Sequence, residues 1–211
     1  MNTRIETTHA PTRLLGELPT GWAQAIVTHP TRADLEDAPP RLFTQLHRVL
    51  RADGTLWLLC RDQCLPHELQ QTGWSGRSVG WSTPLQVHPS TRVHLFVKQE
   101  HYHYNHHAAD AFRTAQPLAL ATAVYGCPSP RQQRRELLRR CVLAGSSRTA
   151  CGACGAPYTR HKQGIRPGCA HNDPRSRCLI LDPFYHPAAG THEIAAQHGR
   201  AFLGITQGEQ G

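Results

Sequence analysis

The chain has 211 residues, a formal net charge of +8 and 8 cysteines, and 39% of its residues are hydrophobic. This length suits one domain with a small appendage and is too short for two full domains. No run approaches the roughly 18 apolar residues of a membrane span, and residues 1 to 13 lack a signal peptide's apolar segment. These features predict a cytoplasmic protein without membrane contact, whose cysteines are thiols or metal ligands. The positive charge favours a polyanionic partner, nucleic acid first.

In the first half of the chain, apolar runs alternate with turn formers. Residues 1 to 20 are polar, residues 25 to 28 predict a buried strand that stops before Pro30, and helical spacing from Leu42 to Leu50 predicts a helix. The dipeptide Asp53-Gly54 predicts a turn before a strand over residues 55 to 60. An irregular stretch with Trp74 and Trp81 as buried anchors follows, and then residues 93 to 98 alternate as in a strand.

The second half predicts further alternation of helices and strands. Residues 131 to 143 have the pattern of a basic amphipathic helix. Residues 178 to 181 predict a strand, residues 192 to 198 a helix and residues 201 to 205 a last strand. Strands separated by helices indicate a doubly wound α/β sheet, into which a small cysteine module is inserted.

The cysteine module has the spacing of a metal site. Cys151 and Cys154 form a Cys-x-x-Cys pair on a glycine-containing turn, and Cys169 with His171 offers a second pair. Together they predict a tetrahedral Cys3His site for structural Zn²⁺, because four protein ligands leave no open position for catalysis. Cys178 is the competing fourth ligand, although its place at the start of an apolar strand favours a buried core thiol.

A histidine-rich stretch, residues 100 to 107, allows two interpretations. Alternate residues of a strand share one face, so His101 and His103 would lie side by side as in a metal site. A solvated strand end is the ordinary alternative, and it is the one that we favour for these histidines.

Five stretches occur in a recognisable order along the chain. They are Leu18-Pro19 with residues 25 to 28, LHRVLRADGTLWLLCRD (46 to 62), GWSGRSVGWSTP (73 to 84), STRVHLFVKQEHYHYN (90 to 105) and LDPFYHPAAGTHEIAAQHGRAFLGI (181 to 205). In this order the chain resembles the DNA N4-cytosine/N6-adenine methyltransferases in which the catalytic motif precedes the cofactor-binding motif. Residues 134 to 160 are similar to members of that family that carry a cysteine module before the cofactor loop.

The resemblance covers most of residues 15 to 205. It implies the mostly parallel, doubly wound α/β sheet of the S-adenosylmethionine-dependent methyltransferases, in a single domain over residues 1 to 211 with a zinc-knuckle insert at about 149 to 173. It also implies site-specific methylation of an exocyclic amino group, cytosine N4 or adenine N6, in double-stranded DNA, with S-adenosyl-L-methionine as cofactor.

The resemblance places the catalytic loop at four positions. Where the family has Asp or Ser, Pro, Pro and an aromatic residue, this chain has His29, Pro30, Thr31 and Arg32, so only the first proline is retained. A neutral imidazole can accept a hydrogen bond from an amino group, and a guanidinium can stack on a base.

The resemblance places the cofactor loop at Asp182, Pro183, Phe184, Gly190 and Thr191. The stretch between Phe184 and Gly190 is two residues longer than in the family and lacks the first glycine. The acidic residue that follows the next strand in the family is Thr206 here, and the chain ends at Gly211, where the family continues with a helix. These departures keep open an alternative, a catalytically inactive DNA-binding protein of the same fold.

A set of arginines lies on the predicted basic helix. Phosphate contact and an ordinary solvated face are equally weighted interpretations of this set, because the whole chain is basic and DNA is a dense line of charge. Its members are Arg131, Arg134, Arg135, Arg139 and Arg140. The stretch between Asn105 and Arg134 is short for a target-recognition region, which predicts that sequence specificity is limited or is supplied elsewhere.

Overall fold

A computed structural model describes residues 3–8, 11–39, 41–61, 67–77, 91–105, 129–161, 164–171 and 173–207. The predictions about Trp81, His106 and His107 lie outside the described residues. Within the described ranges, no helix combines the length and the apolar character needed to cross a membrane.

The first half of the chain contains five strands and four helices within the described residues. They are β1 (Thr3–Thr8), α1 (Pro11–Glu17), β2 (Ala23–Thr28), α2 (Arg32–Glu36), α3 (Leu42–Val49), β3 (Leu50–Arg61), α4 (Glu68–Gln71), β4 (Ser75–Arg77) and β5 (Thr91–Val97).

The second half begins with a long helix and ends on two strands of the central sheet. Its described elements are α5 (Pro130–Gly145), β6 (Thr149–Cys151), β7 (Tyr158–His161), β8 (Gly164–Pro167), β9 (Arg175–Arg177), β10 (Leu179–Asp182), α6 (Thr191–Gln197) and β11 (Ala201–Gln207). A short 3-10 turn, Pro187–Ala189, precedes α6.

Seven strands form one central sheet in the order β1-β11-β10-β2-β3-β5-β4. The first five of these strands run parallel to one another, whereas β5 is antiparallel to β3 and β4 is antiparallel to β5. The sheet is therefore mostly parallel, as predicted.

Helices cover both faces of this sheet because side chains of successive strand residues point to opposite faces. Ala25 and Val27 of β2 pack in one core cluster with buried residues of α5 and α6. Ile26, between them in the chain, belongs to a second cluster with buried residues of α1 and α3. The arrangement confirms the doubly wound α/β prediction.

The polar amino terminus forms an edge strand that its sequence did not reveal. β1 pairs in parallel with β11 from Thr3 opposite Phe202 to Thr8 opposite Gln207. Most of its residues are exposed, and Ile5 is 45% exposed, so β1 lacks the apolar alternation of a half-buried strand. Backbone pairing, which any sequence can provide, holds it in place.

The Asp53-Gly54 turn is wrong as an element boundary. Both residues lie inside β3, which begins directly after α3. The irregularity that they cause is a shift in register, because Ala23 pairs with Leu50 whereas Ala25 pairs with Thr55.

The cysteine module lies between α5 and β10, outside the central sheet. Two antiparallel pairs build it, β6 with β9 and β7 with β8. The central strand β10 follows β9 after one residue, Cys178, so the module adjoins the amino ends of the parallel strands.

Candidate active site and metal centre

Two adjacent parallel strands bring the predicted loops together. β2 ends at Thr28 and β10 ends at Asp182, and Thr28 Oγ1 donates a hydrogen bond of 2.6 Å to Asp182 Oδ1. The loop that begins with His29 therefore leaves the sheet beside the loop that begins with Pro183. The carboxyl edge of an open α/β sheet is where ligands bind in this class of fold.

Asp182 is a buried carboxyl at the point where the second of these loops begins. Its side chain is 1% exposed and also accepts a hydrogen bond of 3.3 Å from the Phe184 N–H. Burial raises the pKa of Asp182 to about 6, against the hydrogen bond from Thr28. The carboxyl thus anchors the start of the cofactor loop.

His29 is half-buried next to the sheet, and Pro30 after it is buried. Loss of solvation, and then the positive charge of Arg134, lower the pKa of His29 to about 4. Its imidazole is consequently neutral at pH 7 and offers one acceptor nitrogen.

Thr31 and Arg32 are engaged in forming α2. Thr31 is the N-cap of this helix, in a capping box with Asp34: the Thr31 N–H and Oγ1 both donate to Asp34 Oδ2, at 2.6 and 2.7 Å. The Arg32 side chain is 76% exposed and forms an ion pair of 2.6 Å with Glu36. Of the four predicted catalytic-loop residues, the structure therefore directs His29 and Pro30 toward the protein interior, while Thr31 and Arg32 lie on the exposed surface.

A contact that the sequence did not predict joins the two loops. His186 Nε2 lies 2.8 Å from Asp34 Oδ2, although the residues are 152 positions apart. Although burial opposes the shift, the hydrogen bonds from His186 and Thr31 lower the pKa of Asp34. His186 belongs to the stretch by which the cofactor loop is longer than the family pattern, so the extra length produces a bridge to the catalytic loop.

Gly190 is required by the backbone and by the space around it. Its φ is +74°, the left-handed region that glycine adopts without strain, and it is the N-cap of α6. A Cβ atom there would lie 2.5 Å from Nη1 of Arg135, which forms an ion pair of 2.7 Å with Glu193. Arg135 thus lies directly over the predicted cofactor loop.

Tyr185 fills the space beneath the longer loop. Its ring is buried, its hydroxyl lies 2.7 Å from His192 Nδ1, and its N–H donates to the Ile205 carbonyl at 3.0 Å. A Cβ at Gly204 of β11 would lie 2.7 Å from Tyr185 Cγ, so only glycine allows this contact.

Thr206, which stands where the family has an acidic residue, bonds to the unpredicted strand β1. Its Oγ1 lies 2.9 Å from Thr7 Oγ1 and donates to the Glu6 carbonyl at 3.3 Å. At this position the chain uses its hydroxyl to hold the edge strand.

The arginines of α5 have different environments. Arg131 and Arg134 are exposed, whereas Arg139 and Arg140 each form an ion pair of 2.7 Å with Glu136. Only 4% of the Arg140 side chain is exposed, and this burial removes Arg140 from the set predicted to contact phosphate.

The predicted metal ligands converge. The side-chain ligand atoms of Cys151, Cys154, Cys169 and His171 all lie within 4.8 Å of one another. Backbone N–H groups, first that of Cys154, lower the pKa of the Cys151 thiol and so favour the thiolate that binds metal. Three sulfur donors and one imidazole at this separation suit tetrahedral Zn²⁺, with bond lengths of about 2.0 to 2.3 Å.

Cys178 is a core thiol, as favoured from its position. It is 1% exposed, burial raises its pKa to about 11, and its Sγ lies 3.6 Å from the Thr149 carbonyl oxygen. The group of four ligands above does not include it.

The histidine-rich stretch differs in part from the solvated strand end that the sequence favoured. His101 is exposed, but His103 is 8% exposed, and its N–H donates a 2.7 Å hydrogen bond to the Asp53 carbonyl. A solvated strand end is therefore wrong for His103. Of the residues that the structure describes, those four knuckle ligands alone form a group that could hold a metal.

Comparisons with solved structures find proteins of the same architecture. A putative DNA modification methylase from Thermus thermophilus, TTHA0409, superposes with a TM-score of 0.59 at 16% identity, covering 99% of this chain and 90% of the other. M1.HpyAVI in complex with SAM superposes with a TM-score of 0.56 at 14% identity, covering 99% of this chain and 95% of the other. The cytosine-N4-specific PvuII DNA methyltransferase superposes with a TM-score of 0.55 at 12% identity, covering 99% of this chain and 83% of the other.

At the level of sequence, no family model and no curated protein matches the chain. The structural likeness at these low identities establishes the fold. The protein thus has the methyltransferase fold found in DNA methylases, and the resemblance carried by the five ordered motifs is confirmed to that extent.

Proposed function

We propose that this protein is an S-adenosylmethionine-dependent DNA methyltransferase that acts on an exocyclic amino group, cytosine N4 or adenine N6. The observation that carries the proposal is the joining of the two predicted loops at the carboxyl edge. Thr28 binds Asp182 where the strands end, and Asp34 binds His186 farther out, so the loops form one crevice. The structural neighbours are DNA methylases, and two of them, M1.HpyAVI and TTHA0409, were solved in complex with S-adenosylmethionine.

The cofactor would be held by the loop from Asp182 to Thr191. Gly190 gives the backbone the tight turn that a close ligand needs, and the first N–H groups of α6 follow it. Arg135 above Gly190 supplies a cation for the carboxylate of the methionine moiety. When bound, S-adenosylmethionine supplies an electrophilic methyl group on its sulfonium. Thr206 stands in place of the carboxylate that the resemblance implies, and its hydroxyl is bonded to β1, which predicts a weaker hold on the ribose.

The target base would enter between His29 and the cofactor loop, flipped out of the duplex. The neutral imidazole of His29 would accept a hydrogen bond from the exocyclic amino group and orient its nitrogen toward the methyl group. Stacking by Arg32 on the base would require that its ion pair with Glu36 open, which costs little because both side chains are exposed.

Double-stranded DNA would be held by cations near the crevice. Arg134 is close enough to His29 for its charge to lower the histidine pKa, and Arg131 is exposed one turn earlier on α5. Phosphate contacts by these two side chains would position the duplex without reading its sequence.

The knuckle would bind one structural Zn²⁺ through Cys151, Cys154, Cys169 and His171. Arg51 of β3 donates a hydrogen bond to the Cys154 carbonyl, so the metal would also hold the knuckle against the central sheet. All four positions of a tetrahedral ion are then filled by protein, which leaves no role for this metal in methyl transfer.

A second candidate function is a catalytically inactive DNA-binding protein of the same fold. The observation that favours it is the engagement of Thr31 and Arg32 in α2, at positions where the resemblance expects a proline and an aromatic residue. Such a protein would keep its basic helix and knuckle.

The two functions separate in one experiment on the zinc-loaded protein. S-adenosylmethionine is titrated by calorimetry, and transfer of a radiolabelled methyl group to mixed-sequence duplex DNA is measured, with mass spectrometry to identify the methylated base. We expect cofactor binding, lost in Asp182→Ala, and methyl transfer that falls at least roughly a hundredfold in His29→Ala.

His198→Ala is the matched control, because this histidine follows α6 away from both loops. It should retain transfer within about twofold. If the wild-type protein shows no cofactor binding and no methyl transfer, the enzyme proposal is rejected. The DNA-binding alternative is then left, and salt-dependent DNA binding tests it.

A further inference from the structure

A cavity of about 1040 Å³ lies at the amino edge of the central sheet, opposite the proposed crevice. The first residues of β10 and β11 and the segment before β2 form one side, and knuckle residues 150 to 155 form another. A six-residue strand such as β2 spans about 20 Å, so a ligand here would be separate from the carboxyl edge. The volume is at the upper end of small-molecule sites.

The charged side chains that line the cavity are all positive. Arg4, Arg51 and Arg177 contribute to its wall, and none of the described lining residues is Asp or Glu. Arg51 is tied to Asp53 and to the Cys154 carbonyl, and Arg177 lies on the exposed strand β9. The side chain of Arg4 is 49% exposed and forms an ion pair with Glu6, which does not line the cavity. This arrangement favours an anionic ligand.

The remaining wall offers surfaces for a planar ring. Trp22, which is half-buried, lies in the wall close to the start of β2. Gln24 also contributes, and neither Nε2 nor Oε1 of this buried side chain has a hydrogen-bond partner among the described residues. A rotation of the Gln24 side chain toward the cavity would present one donor and one acceptor, the pair that matches the N7 and N6 edge of adenine.

We infer that this cavity binds an adenine mononucleotide, with the base against Trp22 and Gln24 and the phosphate at Arg4 and Arg177. Base stacking on an aromatic ring and a charge-assisted phosphate contact are both general modes of nucleotide recognition. The inference does not depend on methyl transfer, because the site shares no residue with the carboxyl-edge loops.

The test is calorimetric titration of the zinc-loaded full chain with AMP. We expect a Kd below 1 mM, with adenosine and ribose 5-phosphate each at least tenfold weaker because each lacks half of the contacts. Arg177→Ala should weaken AMP binding at least tenfold. Arg175→Ala is the matched control, since it lies two residues earlier on β9, is also exposed and is placed over the Tyr158 ring, 5.2 Å from its centroid.

Trp22→Leu gives a second variant, and it should weaken adenosine more than ribose 5-phosphate. Circular dichroism establishes that each variant is folded. Absence of AMP binding in the wild-type protein, equal losses in Arg175→Ala and Arg177→Ala, or displacement of AMP by S-adenosylmethionine would each overturn the assignment.

Discussion

The sites that we propose at the two ends of the central sheet are built in different ways. At the amino end, the four knuckle ligands come from 21 consecutive positions, Cys151 to His171, and their side-chain atoms converge within 4.8 Å. At the carboxyl end, the loops are joined by Thr28–Asp182 and Asp34–His186, pairs that are 154 and 152 positions apart. A site whose residues are close together in the chain can be recognised from their spacing, even when the rest of the sequence differs from known families. A site held together by contacts between distant residues can keep its two loops adjacent even though the residues of its motif differ from the family pattern.

The largest expected effect is at the knuckle. Cys151→Ser should abolish zinc binding and destabilise the folded protein by on the order of 5 kcal/mol, a fraction of the roughly 10 to 16 kcal/mol that structural zinc contributes in small domains. Zinc content by mass spectrometry and thermal unfolding measure both effects.

Cys178→Ser is the control for this change, because Cys178 is a buried thiol outside the ligand group. It should keep one zinc per chain. Wild-type zinc content and unchanged unfolding in Cys151→Ser would refute the structural metal.

The next largest effect concerns Asp182 and tests the carboxyl end. Burial raises its folded-state pKa from 3.8 to about 6, so its favourable contribution is complete below about pH 4 and is lost as the pH rises through 6. At pH 7.5 the buried charge costs about 3 kcal/mol. Asp182→Asn should therefore stabilise the protein by up to about 3 kcal/mol at pH 7.5 and change little at pH 4.

Urea unfolding at the two pH values measures this difference. The asparagine Oδ1 keeps an acceptor for both the Phe184 N–H and the Thr28 hydroxyl, which isolates the charge from these hydrogen bonds. A shift of equal size at pH 4 and pH 7.5 would show that ionisation is not the cause.

The bridge between the loops should have a smaller effect. His186 is 46% and Asp34 18% exposed in their side chains, so solvent weakens the pair. A double-mutant cycle with Asp34→Asn and His186→Asn should give a coupling of about 0.5 to 1 kcal/mol in unfolding free energy. The cycle for the exposed Arg32–Glu36 pair should give at most about 0.3 kcal/mol. Equal couplings in both cycles would mean that the bridge adds nothing beyond an ordinary surface pair.

The smallest effect is expected from single phosphate contacts. Arg134→Ala should reduce the slope of log K against log salt for duplex DNA by about 0.9, the value for one lost contact. Arg13→Ala is the control, because Arg13 is 84% exposed on α1, and α1 belongs to the other layer. Filter binding at several salt concentrations measures both slopes, and an unchanged slope in Arg134→Ala would remove this residue from the DNA-binding surface.

Much of the fold was predictable because its core is periodic. β2, α3, β5, α5 and α6 were placed within a few residues, since each presents regularly spaced apolar residues to one or both of the core clusters. β1 was not predicted, because its side chains are mostly exposed and its position depends on backbone pairing with β11. Asp53-Gly54 was misplaced because a turn dipeptide and a bulge inside a strand share the same local chemistry.

The sequence by itself determined the order of the main core elements, their apolar faces and the four convergent cysteine and histidine positions, because these depend on local spacing. Only the tertiary structure decided that Arg140 is buried, that Arg135 lies over Gly190 and that His186 reaches Asp34. Each of these depends on which distant residues become neighbours when the sheet assembles. A side chain's charge is read from its type, but its partner and its exposure are set by packing.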